Sequence, residues 1–352
     1  MLIPEVLTSM DINERFLSMV SLEKSGKNIN MTSADLLPHP DGGVKFSGTN
    51  YSEAMGSLSS SIRTMFKRSR FKSKSCITYI PSDESVVKVI TKEISDLRDD
   101  SIEQFIIMNS SHYIPYNIDA VNFDFVKIGS ADSRQKVLLV ACKKDLIEDL
   151  SACVEEGGMT LKYVELTQFA LLRLLKNSLP DRYASGNIKF MLYIDYDITS
   201  SYAFDGDEPI YNKEHRFGYS RLHSMMSTKY DISMDSAEKM ETYGGLPDDF
   251  NSVFNSFVEG MSVECFRSYD FFHSNMTDLD KPVDVFIFGH GAKLTGLDDI
   301  LSRRIKDAEG VYLVDPMRNI QIGRNVSQDF ISNNRYALSR SIAMALRGLV
   351  HD

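Results

Sequence analysis

Asp284-Val-Phe-Ile-Phe-Gly-His-Gly-Ala-Lys-Leu-Thr-Gly-Leu-Asp-Asp-Ile-Leu301 is the stretch whose reading decides the fold. Val285 to Phe288 is a short run of β-branched and aromatic residues, the pattern of a buried strand. The run breaks at Gly289-His290-Gly291, and apolar residues resume at Leu294, Leu297, Ile300 and Leu301 with helical spacing. The pattern predicts strand, tight glycine turn, helix. Glycine has no Cβ, so backbone there can approach closely whatever lies above the strand end. Many α/β domains turn this way without a ligand. The reading therefore depends on whether other segments aim at the same place.

Two other strands end in aspartate at a hairpin: Met10-Asp11-Ile12-Asn13 and Ile194-Asp195-Tyr196-Asp197, near the starts of the two halves of the chain. Between them the chain alternates strands and helices. Met10 to Leu22 reads as strand, turn at Asn13-Glu14-Arg15, and return strand. Gly42-Gly43 marks a further turn, and Tyr51 to Lys67 an amphipathic helix with a basic tail through Lys74. That tail could meet acidic lipid headgroups, but cations also complement a helix C-terminus, and that reading is preferred. Cys76 to Ile80, Ser85 to Ile90, Val121 to Val126, Lys136 to Cys142 and Leu161 to Leu166 read as strands. Ile94 to His112, Asp145 to Glu156 and Thr167 to Leu179 read as helices. Residues 85–166 are thus expected to form a β-α-β-β-α-β unit of their own. Further on, Lys189 to Asp195 is a buried strand, followed by a hairpin and a helix starting at His215. Ser233 to Met240 is amphipathic, and Val253, Phe257, Met261, Cys265 and Phe272 recur at helical spacing. Val311 to Val314 is a last strand, and Ala337 to Leu349 a closing helix.

Composition removes several function classes. A chain of 352 residues with 43% apolar content can bury two cores. The net charge of −10 argues against general nucleic-acid binding, which needs a basic footprint. The four cysteines are scattered without Cys-x-x-Cys spacing, so neither a disulfide framework nor a zinc site is expected. Reduced thiols, no signal-peptide pattern and no run near the ~20 apolar residues of a membrane span point to a cytoplasmic protein. The seven histidines are dispersed with no His-x-x-x-His pair, and no catalytic residue is assigned. Tyr113, Tyr116, Phe123 and Phe125 read as core.

The layout of two aspartate hairpins and one glycine turn resembles the actin-like, sugar-kinase and Hsp70 superfamily. Within it the chain is most similar to the PilM family of type IV pilus assembly proteins, relatives of the cell-division protein FtsA. His112-Tyr-Ile-Pro-Tyr-Asn-Ile-Asp-Ala-Val-Asn-Phe-Asp-Phe125 is very like that family's Tyr-Ile-Pro-Phe segment and its Val-Asn-x-Asp-Phe strand. Val137 to Lys144 resembles the strand that follows. Ser262-Val-Glu-Cys-Phe-Arg-Ser-Tyr-Asp-Phe-Phe272 is similar to the Arg-Ser-x-Asp-Tyr-Tyr helix, and Ser341 to Arg347 to the C-terminal Gly-Leu-Ala-Leu-Arg.

The resemblance implies an α/β fold of actin-like, ribonuclease H-like type: two duplicated domains, a cleft between them, and an inserted subdomain. It implies a first core subdomain at 1–84 and 167–186 and an insertion at 85–166. The second core subdomain would be 187–230 and 280–352, with a helical subdomain at 231–279 over the cleft. The nucleotide residues it implies are Asp11, Asn13, Asp195, Thr199, Ser200, Glu238, Gly289, His290, Gly291 and Ala292, with Mg²⁺ on Asp11 and Asp195 if nucleotide binds.

The chain departs from the family's pattern where phosphate would lie. Asn13 replaces the first hairpin's glycine, though Asn tolerates positive φ. Glu14 and Arg15 replace serines, and Ser18 the lysine. Asp197 replaces the second glycine, Glu241 the lysine of Ala-Glu-x-x-Lys, and His290 the middle glycine of the adenosine turn. Phosphate favours converging N–H donors and no anion. Two readings follow. Either Mg²⁺ neutralises the carboxylates and ATP still binds, or the site is degenerate and the fold is a scaffold. The scaffold is favoured.

As a scaffold the protein would bind the cytoplasmic N-terminal tail of a single-span, PilN-like inner-membrane protein, in a groove near the inserted subdomain. Pilus motor or platform proteins and self-association are further contacts, with the membrane reached only through partners. The alternatives are an ATP-hydrolysing relative and an FtsA-like filament former.

Overall fold

The structure is a computed structural model and describes residues 6–13, 15–39, 51–92, 98–131, 134–276 and 280–350. Glu14, the Gly42-Gly43 turn and residues 94–97 lie outside the described residues. The chain divides into two compact units. An N-terminal unit takes Glu5–Ser21 and Ser33–Phe169; a C-terminal unit takes Leu22–Thr32 and Ala170–Asp352.

The N-terminal unit is built on β1 (Thr8–Ile12), β2 (Phe16–Ser25), β3 (Asn28–Pro38), α1 (Tyr51–Arg68), β4 (Ser75–Ile80) and β5 (Ser85–Lys92). There follow α2 (Asp99–Met108), α3 (Ser110–Tyr113), β6 (Val121–Ala131), β7 (Arg134–Lys143), α4 (Lys144–Glu156) and β8 (Thr160–Leu166). Its main sheet runs β3-β2-β1-β4-β8. Strand β2 is antiparallel to β1, whereas β4 is parallel to β1 and β8 to β4. Met10, Ile12, Leu17 and Met19 from the sheet bury against Leu58, Ile62 and Met65 of α1 and Leu146, Leu150 and Cys153 of α4.

Strands β5, β7 and β6 form a separate three-stranded antiparallel sheet. Its own apolar cluster joins Ile90, Val137 and Leu139 to Ile102 and Ile106 of α2. The order of elements over 85–166 is the expected β-α-β-β-α-β. However, β8 pairs with β4 in the main sheet, and α4 buries its apolar face in the main core. The independent body is thus shorter than the periodicity implied, because α4 and β8 find their apolar partners elsewhere.

The C-terminal unit begins with α5 (Thr167–Ser178), α6 (Pro180–Tyr183), β9 (Ile188–Ile194), β10 (Thr199–Asp205) and β11 (Glu208–His215). The helices α7 (Ser220–Tyr230), α8 (Met234–Tyr243) and α9 (Phe250–Asn275) come next, then β12 (Val283–Gly289) and a 3₁₀ turn at His290–Lys293. It closes with α10 (Leu297–Arg304), β13 (Ala308–Leu313), β14 (Ile320–Ile322), α11 (Gln328–Asn334) and α12 (Ser339–Ala345). The sheet runs β11-β10-β9-β12-β13. Strand β10 is antiparallel to β9, β12 is parallel to β9, and β13 to β12. Strand β14 pairs parallel with Ile29–Met31 of the β2–β3 hairpin end.

Counting only the strands of the main sheets, each half therefore has the order 3-2-1-4-5, with the same senses along 2-1-4-5. That repeat is the duplicated, ribonuclease H-like arrangement of an actin-like fold, as the resemblance implied. Strands β9 and β12 are buried along their whole length, which accounts for their continuous apolar runs. Helix α9 presents Val253, Phe257, Met261, Cys265, Tyr269 and Phe272 to them. Phe190 stacks on Phe272 with ring centroids 4.8 Å apart and meets Tyr269 edge-on at 5.4 Å.

All four cysteines are buried free thiols. Burial pushes Cys76 and Cys153 up to about 12 and Cys142 to about 11, and raises Cys265 further still. No helix among the described residues is long and apolar enough to cross a membrane.

Candidate functional site

In the C-terminal unit, β9 and β12 lie side by side with Ile194 opposite Gly289, so the aspartate hairpin and the glycine turn meet at one sheet end. Gly289 has φ 67° and ψ −146°, a region essentially reserved for glycine. A Cβ there would stand 2.5 Å from the Ile194 carbonyl oxygen and 2.9 Å from the Tyr193 ring. At Gly218, between β11 and α7, a Cβ would meet the Tyr196 carbonyl oxygen at 2.3 Å. That close approach lets the amides of Tyr219 and Ser220 donate to the carbonyls of Asp195 and Tyr196 at 3.0 and 2.7 Å.

Asp195 is buried, and both of its carboxylate oxygens are engaged. Oδ1 accepts from the Tyr196 amide at 2.8 Å. Oδ2 accepts from the Arg340 guanidinium at 2.8 Å, with the two side chains only 8% and 6% exposed. Arg340 lies over the Tyr193 ring at 5.1 Å. Thr199 donates its hydroxyl to the Phe217 carbonyl at 2.9 Å, and Ser200 is buried in β10 beside it.

Next to this pair lies a network drawn from four segments. The Tyr196 hydroxyl is 2.9 Å from His223 Nδ1 and 3.5 Å from Glu238 Oε2. His223 Nε2 is 3.5 Å from Glu241 Oε2. With Nδ1 facing a hydroxyl and Nε2 a carboxylate, these partners favour the Nε2–H tautomer. Glu241 Oε1 also accepts from the Tyr219 hydroxyl at 3.1 Å and ion-pairs with Lys293. Burial alone would raise the Glu241 carboxyl, but hydrogen bonding from His223 and the Lys293 charge outweigh it and hold it at about 2. His290 stacks on Tyr219 with centroids 5.0 Å apart and meets Tyr196 edge-on at 6.3 Å. Burial pushes its imidazole down to about 4, against the pull of Asp195, so it is neutral at pH 7. Gly291 and Ala292 are buried within the same turn. A Cβ on Gly291 would stand 2.4 Å from the Ile194 side chain.

Asp11 and Asn13 belong to the N-terminal unit. Asp11 is fully buried on β1, opposite Ser18 across the hairpin. Asn13 does not use positive φ to make the turn. Its Oδ1 accepts from the amides of Arg15 and Phe16, each at 2.9 Å, closing an Asx turn. His39 Nε2 lies 2.8 Å from the Asn13 carbonyl oxygen. A side-chain amide thus does what glycine's backbone freedom would have done.

Sequence reading singled out Asp195, Thr199, Ser200, Glu238 and the Gly289–Ala292 turn, and the structure brings these to one end of the C-terminal sheet. It missed Arg340, Lys293, Tyr196, Tyr219 and His223. For Arg340 a signal existed: it is the only charged residue in the run Leu338 to Leu346. For Lys293 the signal was charge exchange, because Glu241 put a carboxylate where a lysine was expected and so required a cation nearby. What remains is a hydrogen-bonded aromatic network in which Lys293 faces Glu241, beside the Arg340–Asp195 pair. Among the described residues no group of three or more His, Cys, Asp or Glu side chains is placed to hold a metal ion.

A solved structure described as the PilM–PilN type IV pilus biogenesis complex contains a chain of the same fold. The TM-score is 0.75 at 17% identity, over 98% of this chain and 99% of that one. Ethanolamine utilization protein EutJ from Carboxydothermus hydrogenoformans is similar at TM-score 0.55 and 12% identity, over 98% and 90% of the two chains. The family model described as type IV pilus assembly protein PilM matches residues 9–349. With that match spanning nearly the whole chain, and with the twice-repeated sheet on which it rests, the chain belongs to the PilM family of type IV pilus assembly proteins.

Proposed function

We propose that this PilM-family chain is a cytoplasmic scaffold of a type IV pilus-like machine. It binds, in extended form, the short cytoplasmic tail of a single-span PilN-like inner-membrane protein, and its nucleotide site is degenerate. The observation that carries the partner is the end-to-end likeness to a chain found in a PilM–PilN complex. The receiving surface we assign is the groove beside the three-stranded sheet. In that sheet β5 and β6 are edge strands, each with one side of its ladder open to a further strand. Apolar side chains stand exposed on the same subdomain: Ile107, Met108, Tyr116 and Val126. Isolated exposed apolar residues are ordinary, but several on one small body suit a partner's apolar side chains.

The degenerate site is supported by donors already committed within the protein. The Thr199 hydroxyl serves the Phe217 carbonyl, and Lys293 serves Glu241. A phosphate would have to displace these contacts. Calorimetric titration of the full chain with synthetic tails of inner-membrane pilus proteins tests the reading. One tail is expected to bind, and Val126→Asp is expected to weaken it about tenfold, on the scale of losing one well-packed contact, with the melting transition unmoved. If no tail of any inner-membrane pilus component binds, the proposal is removed. In the same instrument, micromolar binding of Mg-ATP abolished by Asp195→Asn would return the site to the nucleotide-binding class.

A further inference from the structure

We infer that Arg340 is a built-in counter-ion: its guanidinium holds, at the end of β9, the place a divalent cation would need on Asp195, and so closes this hairpin to metal. The inference deepens the degenerate-site reading and rests on it.

Helix α12 is otherwise uncharged, and every residue from Ser339 to Ala345 is buried. A guanidinium in such surroundings is costly unless an anion faces it. Asp195 is that anion, at 2.8 Å. The arrangement is held from beneath. The Tyr193 ring underlies the guanidinium, and that ring keeps its seat only because Gly289 carries no Cβ. The glycine that the sequence suggested was cleared for a nucleotide is thus cleared for Tyr193.

The carboxylate's geometry does not fit magnesium. A hard cation takes a carboxylate oxygen at about 2.0–2.1 Å in an octahedral shell completed by water or phosphate. Here Oδ2 is occupied by a planar donor fixed to the fold, and Oδ1 by the chain's own amide. A guanidinium cannot be deprotonated at any physiological pH, so the closure is permanent rather than switchable. Arg340 acts through Asp195 and is a positioning residue.

The test uses the full chain and Mn²⁺, a paramagnetic stand-in for Mg²⁺, followed by the loss of its free electron-resonance signal and by its effect on the melting temperature. Wild type and Arg340→Lys are expected to bind no Mn²⁺ specifically. Arg340→Gln leaves a buried carboxylate without its cation. It is expected to melt lower, to take up Mn²⁺ specifically where wild type takes up none, and to regain melting temperature as the metal is added. The double variant Arg340→Gln, Asp195→Asn is expected to melt above the single one and to ignore the metal. A purely structural role for Arg340 would give the same lowered melting but no response to metal, and that result overturns the inference. If Arg340→Gln does not fold, a melting temperature of the double variant no higher than that of Asp195→Asn with Arg340 retained overturns it as well. Mg-ATP binding by wild type that survives Asp195→Asn would end the degenerate-site reading while leaving the closure of Asp195 intact.

Discussion

Gly289 and Gly296 lie seven residues apart in the same turn-and-helix segment, both at positive φ, yet replacing each with alanine should have very different consequences. At Gly296, φ is 87° and ψ −3°, and a Cβ would meet nothing within 4 Å. The cost is the left-handed conformation alone, about 1–2 kcal/mol. At Gly289, backbone conformation contributes about 1–3 kcal/mol. The Cβ also lands 2.5 Å from the Ile194 carbonyl and 2.9 Å from the Tyr193 ring. The carbonyl belongs to a strand paired with Gly289 itself and cannot retreat without breaking the ladder. Forcing apart such contacts adds about 1–3 kcal/mol more. Gly289→Ala should therefore lose about 2–6 kcal/mol, a large share of the ~5–15 kcal/mol that stabilises a typical domain. The chain has no tryptophan, so urea unfolding is followed by far-ultraviolet circular dichroism at pH 7. The midpoint of Gly289→Ala should fall well below that of Gly296→Ala. Coincident midpoints would refute the claim that close approach, rather than backbone freedom alone, fixes glycine at 289.

Two further outcomes follow from the C-terminal unit. The His290 imidazole sits near 4 in the folded chain against an ordinary 6.5. Between those values the unfolded chain binds a proton that the folded one refuses, so stability falls as pH drops through that window, by up to about 3 kcal/mol. His290→Gln should flatten the urea midpoint against pH between 6.5 and 4. Glu241, held near 2 against an ordinary 4.5, begins to cost stability only below the latter value and can be told apart. An unchanged slope in the variant would show that His290 is not the group titrating. Phe190→Ala should destabilise by about 3–5 kcal/mol, because the ring touches Phe272 and Tyr269 in a core with no solvent to refill the space. A loss below about 1 kcal/mol would mean that the neighbouring rings collapse into the gap.

The elements legible in the sequence were those buried along their whole length or on one continuous face: β9, β12 and α9. Strand β3 was not legible, because its inward positions are Ile29, Met31, Ser33 and Asp35, half of them polar. Asp35 is buried only because Arg68 and Ser69 meet it, a partnership of residues more than thirty positions apart that hydropathy does not record. The same contact ties part of the basic tail of α1 to the fold. Strand β11 was not legible either: a helix was expected to start at His215, whereas His215 closes β11 and α7 starts at Ser220. Strand β11 is an edge strand with half-exposed, mostly polar residues, held by its ladder to β10. At the candidate site, Asp195 and the glycine turn were legible from local pattern. Their partners were not, since Arg340 comes from 145 residues further along. Asn13 shows a limit of another kind. Its identity suggested left-handed backbone, and the fold used its side chain instead.

The distribution of thiols gives each half of the molecule its own reporter. Cys76, Cys142 and Cys153 lie in the N-terminal unit's main core and Cys265 in the C-terminal one, and burial suppresses thiolate formation at all four. An alkylating reagent can reach any of them only when the surrounding core opens. The pattern of modified peptides after a brief exposure would therefore record which half breathes first, with no label introduced into the protein.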